Sequence, residues 1–202
     1  MTAMCDCILC SFCFIITLHI SQFTPVFSYK QRYKHIKSNT RMAQLCLLRH
    51  MNVVYATQEL TPEGLAKAKN DIPGHFNNYA VITDNVKRCE DTVQFIKGSS
   101  KTSLPLADLL PRVNSAADAV KAGTLSSNTV FCGVMMKFIW KALLYANIKK
   151  VVNPMTNKQI SVPENLPGET DPTRVAWSAL LYKYYIVLSW NKTKFKCTFK
   201  PI

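Results

Sequence analysis

Leu45-Cys46-Leu47-Leu48 runs without a polar break into Arg49-His50. A short apolar run of this kind reads as a strand buried on both faces, with the polar pair at its carboxyl end. Arginine offers phosphate oxygens a planar fork of donors, and a neutral imidazole is a nucleophile. A dipeptide is common, so the weight falls on the segments downstream of residue 50.

Thr61-Pro62-Glu63 opens a helix. Thr61 is a good N-cap, Pro62 fits the first helical position, and Glu63 favours the positive end of the dipole. That helix reads to about residue 70. Residues 79–82 read as a second buried strand, with Asp84 or Asn85 capping the helix after it. The Gly98-Ser99-Ser100-Lys101 segment ends that helix, and residues 104–110 read as a loop or a short turn of helix. Residues 116–122 are helical up to Gly123. Thr129-Val130-Phe131-Cys132 is a third buried strand, and Gly133 turns it into a long apolar helix. Val151-Val152 reads as a further strand, and Asp171-Pro172 opens a last helix. Strands alternating with helices give a mostly parallel sheet covered on both faces, a three-layer α/β/α sandwich. Ligands of such sheets bind beyond the carboxyl ends of the strands. Arg49-His50, the segment 84–88 and Cys132-Gly133 are therefore expected on one rim.

In order, these segments resemble the motifs of the histidine phosphatase superfamily, the phosphoglycerate mutase-like proteins. The resemblance rests on Leu47-Leu48-Arg49-His50-Met51, then Leu60-Thr61-Pro62-Glu63-Gly64. It continues through the run from Asp84 and Arg88 to Glu90-Asp91-Thr92, and through Phe131-Cys132-Gly133 before a long helix. It covers about residues 44–147 and implies the phosphoglycerate mutase-like fold. By that resemblance His50 is the nucleophile that takes up a phosphoryl group, and Arg49 and Arg88 cradle its oxygens. Asp108 is the nearest match to the acid that protonates the leaving oxygen, and Cys132 holds the phosphate-binding position of the family's second histidine. Met51 and Cys132 depart from the pattern, which has glycine and histidine there. A thiol is a weak donor, and losing one preorganised donor costs on the order of 10²–10³ in rate. The expected function is a phosphomonoester hydrolase; the alternative is an impaired relative that binds phosphorylated ligands or partner proteins without turnover. Leu60 follows His50 by only ten positions, which fits a compact phosphatase with an open site.

Composition bounds the rest. The chain has 202 residues and a net charge of +13. Much of the basic excess lies in the ends: Lys30, Arg32, Lys34, Lys37 and Arg41 against Asp6, and five lysines with no acid over residues 182–202. No nucleic-acid-binding motif accompanies the charge, so a nucleic-acid partner is not expected. The expected ligand is a phosphorylated small molecule or a phosphoprotein. Three segments are expected: a leader or membrane anchor over 1–41, the catalytic-type domain over 42–181, and an aromatic, lysine-rich tail over 182–202. That tail is read as an edge strand or as a membrane-docking segment. The apolar run 8–20 is short for a membrane span, and its positive charge follows rather than precedes it. With that asymmetry the domain is expected in the cytoplasm, free or tethered, and Met42 is a candidate start. Cys5, Cys7, Cys10 and Cys13 lack the second half-site of a zinc motif, so neither a metal nor another cofactor is expected. His35 and His75 read as surface residues, and His19 falls in the leader.

Overall fold

The computed structural model describes residues 43–54, 56–133 and 136–202. The expectations for the leader, its four cysteines, His19, His35 and the start at Met42 lie outside the described residues. Among the described residues no helix is long and apolar enough to cross a membrane.

Four strands form a parallel group: β1 (Leu45–Arg49), β2 (Ala80–Asp84), β3 (Ser100–Leu104) and β4 (Thr129–Gly133). Two C-terminal strands, β7 (Tyr184–Trp190) and β8 (Phe195–Pro201), extend the sheet, with β7 antiparallel to β1 and β8 antiparallel to β7. The order across the sheet is β3-β2-β4-β1-β7-β8. A separate two-stranded ribbon joins β5 (Lys150–Val152) to β6 (Gln159–Ser161). All five residues of β1 and of β4 are buried, as parallel strands covered on both faces must be.

Helices fill the two outer layers. On one face lie α1 (Pro62–Asn70), α2 (Ile72–Phe76) and α3 (Lys87–Val93), packed with Cys46, Leu48, Val130 and Cys132. On the other lie α4 (Leu106–Ala122), α5 (Met136–Tyr145) and α6 (Pro172–Leu181), packed with Leu45, Leu47 and Phe131. Strand alternation sorts the two sets, because successive side chains point to opposite faces. The architecture is the expected α/β/α sandwich with a mostly parallel central sheet.

Four local readings are corrected. Ser100–Leu104 is a strand rather than a helix ending; its residues are polar and largely exposed because β3 is a sheet edge. The helix expected over 116–122 begins ten residues earlier, at Leu106. Pro111 lies inside it, yet Leu109, Val113, Ala117 and Val120 form one buried face that outweighs the lost amide. Neither Asp84 nor Asn85 caps α3; Val86 stands at its N-cap, without a side-chain hydrogen bond. His75, read as a surface residue, is half-buried with its ring 5.3 Å from that of Tyr185.

Candidate functional site

The chain leaves β1 and β2 toward the α1–α3 face and leaves β4 toward the α5 face. β4 lies between β1 and β2, so adjacent strands send their connections to opposite sides at both of its edges. Such a switch point opens a crevice beyond the strand ends. The register sets Arg49 opposite Gly133, and Leu48 and Thr83 opposite Cys132. Arg49, His50, Asp84 and the first turn of α3 therefore share this rim.

Two glycines let backbone elements close on it. A Cβ at Gly64 would stand 2.5 Å from the carbonyl oxygen of Asn52, so only glycine lets α1 pack on the segment after His50. Thr61 N–H donates to the same carbonyl at 2.9 Å, and Thr61 Oγ1 accepts from Gly64 N–H at 3.0 Å. A Cβ at Gly133 would lie 2.4 Å from Cδ1 of Phe138. The end of β4 is thus pressed against the first turn of α5.

His50 is buried, with Nδ1 2.7 Å from the carbonyl oxygen of Met51. A carbonyl only accepts, so Nδ1 carries a proton, and in the neutral ring the lone pair is then on Nε2. Met51 N–H donates to Thr92 Oγ1 at 3.0 Å, and that hydroxyl donates to the carbonyl of Arg88 at 2.7 Å. This relay ties the turn carrying His50 to the turn of α3 carrying Arg88. Sequence reading assigned Thr92 no role; its complete burial beside a strand-end turn supplies one.

The two arginines approach from opposite faces of the sheet. Arg49 follows the parity of Leu45 and Leu47 and reaches toward α6. Its Nη1 donates to Ser178 Oγ at 3.0 Å, and its guanidinium carbon lies 4.2 Å from the ring centroid of Tyr182. Arg88 Nη1 donates to Gln58 Oε1, on the loop between β1 and α1. Gln58 takes a left-handed backbone conformation, φ 60°, of the kind that gathers at functional turns. Arg49 also borders a cavity of about 750 Å³ with Met136, Glu169, Arg174, Ser178 and Tyr182. Arg174 is held there by Glu169 at 3.3 Å and by the carbonyl of Pro167 at 3.0 Å. Sequence reading missed this wall. Its trace was present: residues 174, 178 and 182 recur every fourth position, which puts a polar stripe on one face of a helix.

Cys132 and Asp108 stand apart from this group. Cys132 is completely buried, and its Sγ donates to the carbonyl of Cys89 at 3.9 Å. The Cys89 thiol is held protonated by its hydrogen bond with Cys132, then by burial, with Asp84 adding to the effect. A protonated, enclosed thiol is not a nucleophile. Asp108 is exposed in the first turn of α4, the helix that leaves β3. Three strand spacings, about 14 Å, separate β3 from β1. An acid there also favours the helix N-terminus without any chemistry. Among the described residues no cluster of three or more His, Cys, Asp or Glu can hold a metal.

No protein-family model and no curated protein sequence matches the chain. Among solved structures it is similar to that of open reading frame Rv3214 from Mycobacterium tuberculosis, at 14% identity and a TM-score of 0.46, over 78% of this chain and 96% of that one. It is similar to a phosphoserine phosphatase from Entamoeba histolytica in complex with 3-phosphoglyceric acid, at 13% identity and a TM-score of 0.46, over 80% and 98%. It is also similar to phosphoglycerate mutase from Plasmodium falciparum, at 13% identity and a TM-score of 0.39, over 79% and 89%. The likeness is one of fold alone.

Proposed function

We propose that the chain is a phosphomonoester hydrolase acting through a phosphohistidine on His50. One observation carries this reading. His50 follows the end of β1 at the switch-point rim with Nδ1 2.7 Å from the Met51 carbonyl, and Arg49 and the first turn of α3, which carries Arg88, share that rim; this arrangement supports a nucleophilic Nε2. Nε2 attacks phosphorus, and the bond to the leaving oxygen breaks as that oxygen takes up a proton. Water then attacks the phosphohistidine, releases phosphate and restores the imidazole. Arg49 and Arg88 hold the phosphoryl oxygens through charge-assisted bonds as negative charge redistributes. Asp108, which the resemblance gives as the acid, stands on the helix after β3, three strand spacings from β1, and would have to come within hydrogen-bond reach of the leaving oxygen to serve as one. The substrate is a phosphorylated small molecule or a phosphoprotein, and turnover is slow because no imidazole stands at position 132.

Incubation of the full chain with p-nitrophenyl phosphate, and trapping of radiolabelled phosphoenzyme from a labelled aryl phosphate by an alkaline detergent quench, which preserves the P–N bond, tests this. Turnover and label should both vanish in His50→Ala. Turnover that survives this substitution sinks the nucleophile assignment.

A second reading has its own support. Cys132 turns its thiol to the Cys89 carbonyl, inside the core, and so offers a bound phosphate nothing. In that reading the chain binds phosphorylated ligands through its arginines and releases them unchanged. Phosphate binding without turnover or label would establish it.

A further inference from the structure

A second cavity lies on the α4–α5 side, and Arg49 is not among its lining residues. It holds about 480 Å³, the size of a small-ligand site. Leu106, Leu110, Pro111 and Phe138 form its walls, and Lys137 and Lys141 border it. No acidic side chain lines it. Both lysines come from α5, one turn apart, and the helix carries no acid of its own. Among the described residues neither lysine has an ion-pair or hydrogen-bond partner. Lys137 is half-buried. A cation held partly out of water without a counter-ion costs free energy that an anion would recover. An apolar pocket edged by the half-buried Lys137 and the exposed Lys141 is complementary to one chemistry: an apolar body with a negative head.

We propose that this cavity binds a small amphipathic organic anion, its hydrocarbon part against Leu106, Leu110 and Phe138 and its oxyanion head at Lys137 and Lys141. Phe138 also connects the cavity to the rim, since the same ring presses on Gly133 at the end of β4. The proposal stands independently of the phosphatase reading, because binding here needs neither His50 nor either arginine of the rim.

Titration calorimetry of the full chain with butyrate, hexanoate and octanoate tests it, with octylphosphonate as a second head group and octyltrimethylammonium as the charge control. Burial of hydrocarbon should tighten binding about fourfold per added methylene. Octylphosphonate should bind like octanoate, and the ammonium should not bind. Lys137→Gln with Lys141→Gln should remove the preference for the anion. Ala107→Phe should block octanoate by filling the cavity from an exposed position, which keeps the fold out of the test. Equal binding of octanoate and the ammonium overturns the proposal, as does an affinity indifferent to chain length or to Ala107→Phe. It is equally overturned if sedimentation shows a dimer that Ala107→Phe dissociates and octanoate does not. A dead phosphatase with intact octanoate binding would sink the hydrolase reading alone.

Discussion

Thr92→Val is the sharpest test of how the rim is held together. The substitution keeps the shape of a completely buried side chain and exchanges a hydroxyl for a methyl. That hydroxyl accepts from Met51 N–H at 3.0 Å and donates to the Arg88 carbonyl at 2.7 Å. The two losses are unequal. The Arg88 carbonyl lies inside α3, where the helix itself supplies a donor, whereas the buried Met51 N–H would lose its acceptor. A buried donor left without a partner costs about 1–3 kcal/mol. With a urea slope of about 2 kcal/mol/M, a loss of 2 kcal/mol lowers the midpoint by about 1 M. Thr92→Ser retains the hydroxyl and loses one methyl group, worth about 1 kcal/mol. Under the hydrolase reading the relay also fixes His50 relative to Arg88, so Thr92→Val should lower kcat for p-nitrophenyl phosphate and Thr92→Ser should largely preserve it. Urea denaturation followed by far-UV circular dichroism, with the same three proteins assayed for turnover, decides the matter. A valine variant as stable as wild type, or a serine variant as damaged as the valine one, would refute the relay.

Three further outcomes are expected from the same geometry. Gly133→Ala puts a Cβ 2.4 Å from Cδ1 of Phe138, an overpacking that should cost about 1–3 kcal/mol, part of which Phe138→Leu should restore in the double variant; full stability of Gly133→Ala by urea denaturation would contradict it. Ser178→Ala removes the hydroxyl that accepts from Arg49 and should cost about 1–2 kcal/mol, with, under the hydrolase reading, a raised KM for aryl phosphate; unchanged values for both would mean that Ser178 does not position Arg49. Burial raises Cys46 from 9.0 to about 12 and Tyr185 from 10.0 to about 12, so the folded state favours their protonated forms; that stabilisation is complete below pH 9 and is lost as pH rises toward 12. The urea midpoint should therefore fall as pH rises from about 9 toward 12, and fall less in Cys46→Ala; a pH-independent midpoint would count against it.

How far the sequence could be read depended on whether a feature was local. β1 was legible because burial on both faces leaves an unbroken apolar run, and α1 because its cap, proline and first acid are consecutive. β3 was not, because an edge strand of Ser, Lys and Thr has no apolar pattern to display. The true start of α4 was hidden because a proline is a local signal, while the face formed by Leu109, Val113, Ala117 and Val120 is satisfied only by tertiary packing. The site divides in the same way. The rim placement of Arg49, His50 and Arg88 was legible because each sits within a few residues of a strand end. The grip of Ser178 and Tyr182 on Arg49 joins residues far apart in sequence, and no local pattern announces such a contact.

Cys132 is the instructive case, since its placement follows from strand parity. Val130 and Cys132 share one face of β4 and Phe131 takes the other, so the thiol is committed to the α1–α3 layer. The register then sets it beside Leu48 and Thr83, and the first turn of α3 covers it with the Cys89 carbonyl. A larger polar side chain at 132 would keep that direction and would have to displace this cover to reach the crevice. The residue type at 132 and the packing of α3 are therefore coupled. Under the hydrolase reading, Cys132→His should therefore raise turnover of p-nitrophenyl phosphate only when combined with a second substitution at Cys89, and a gain from the single variant would count against this coupling.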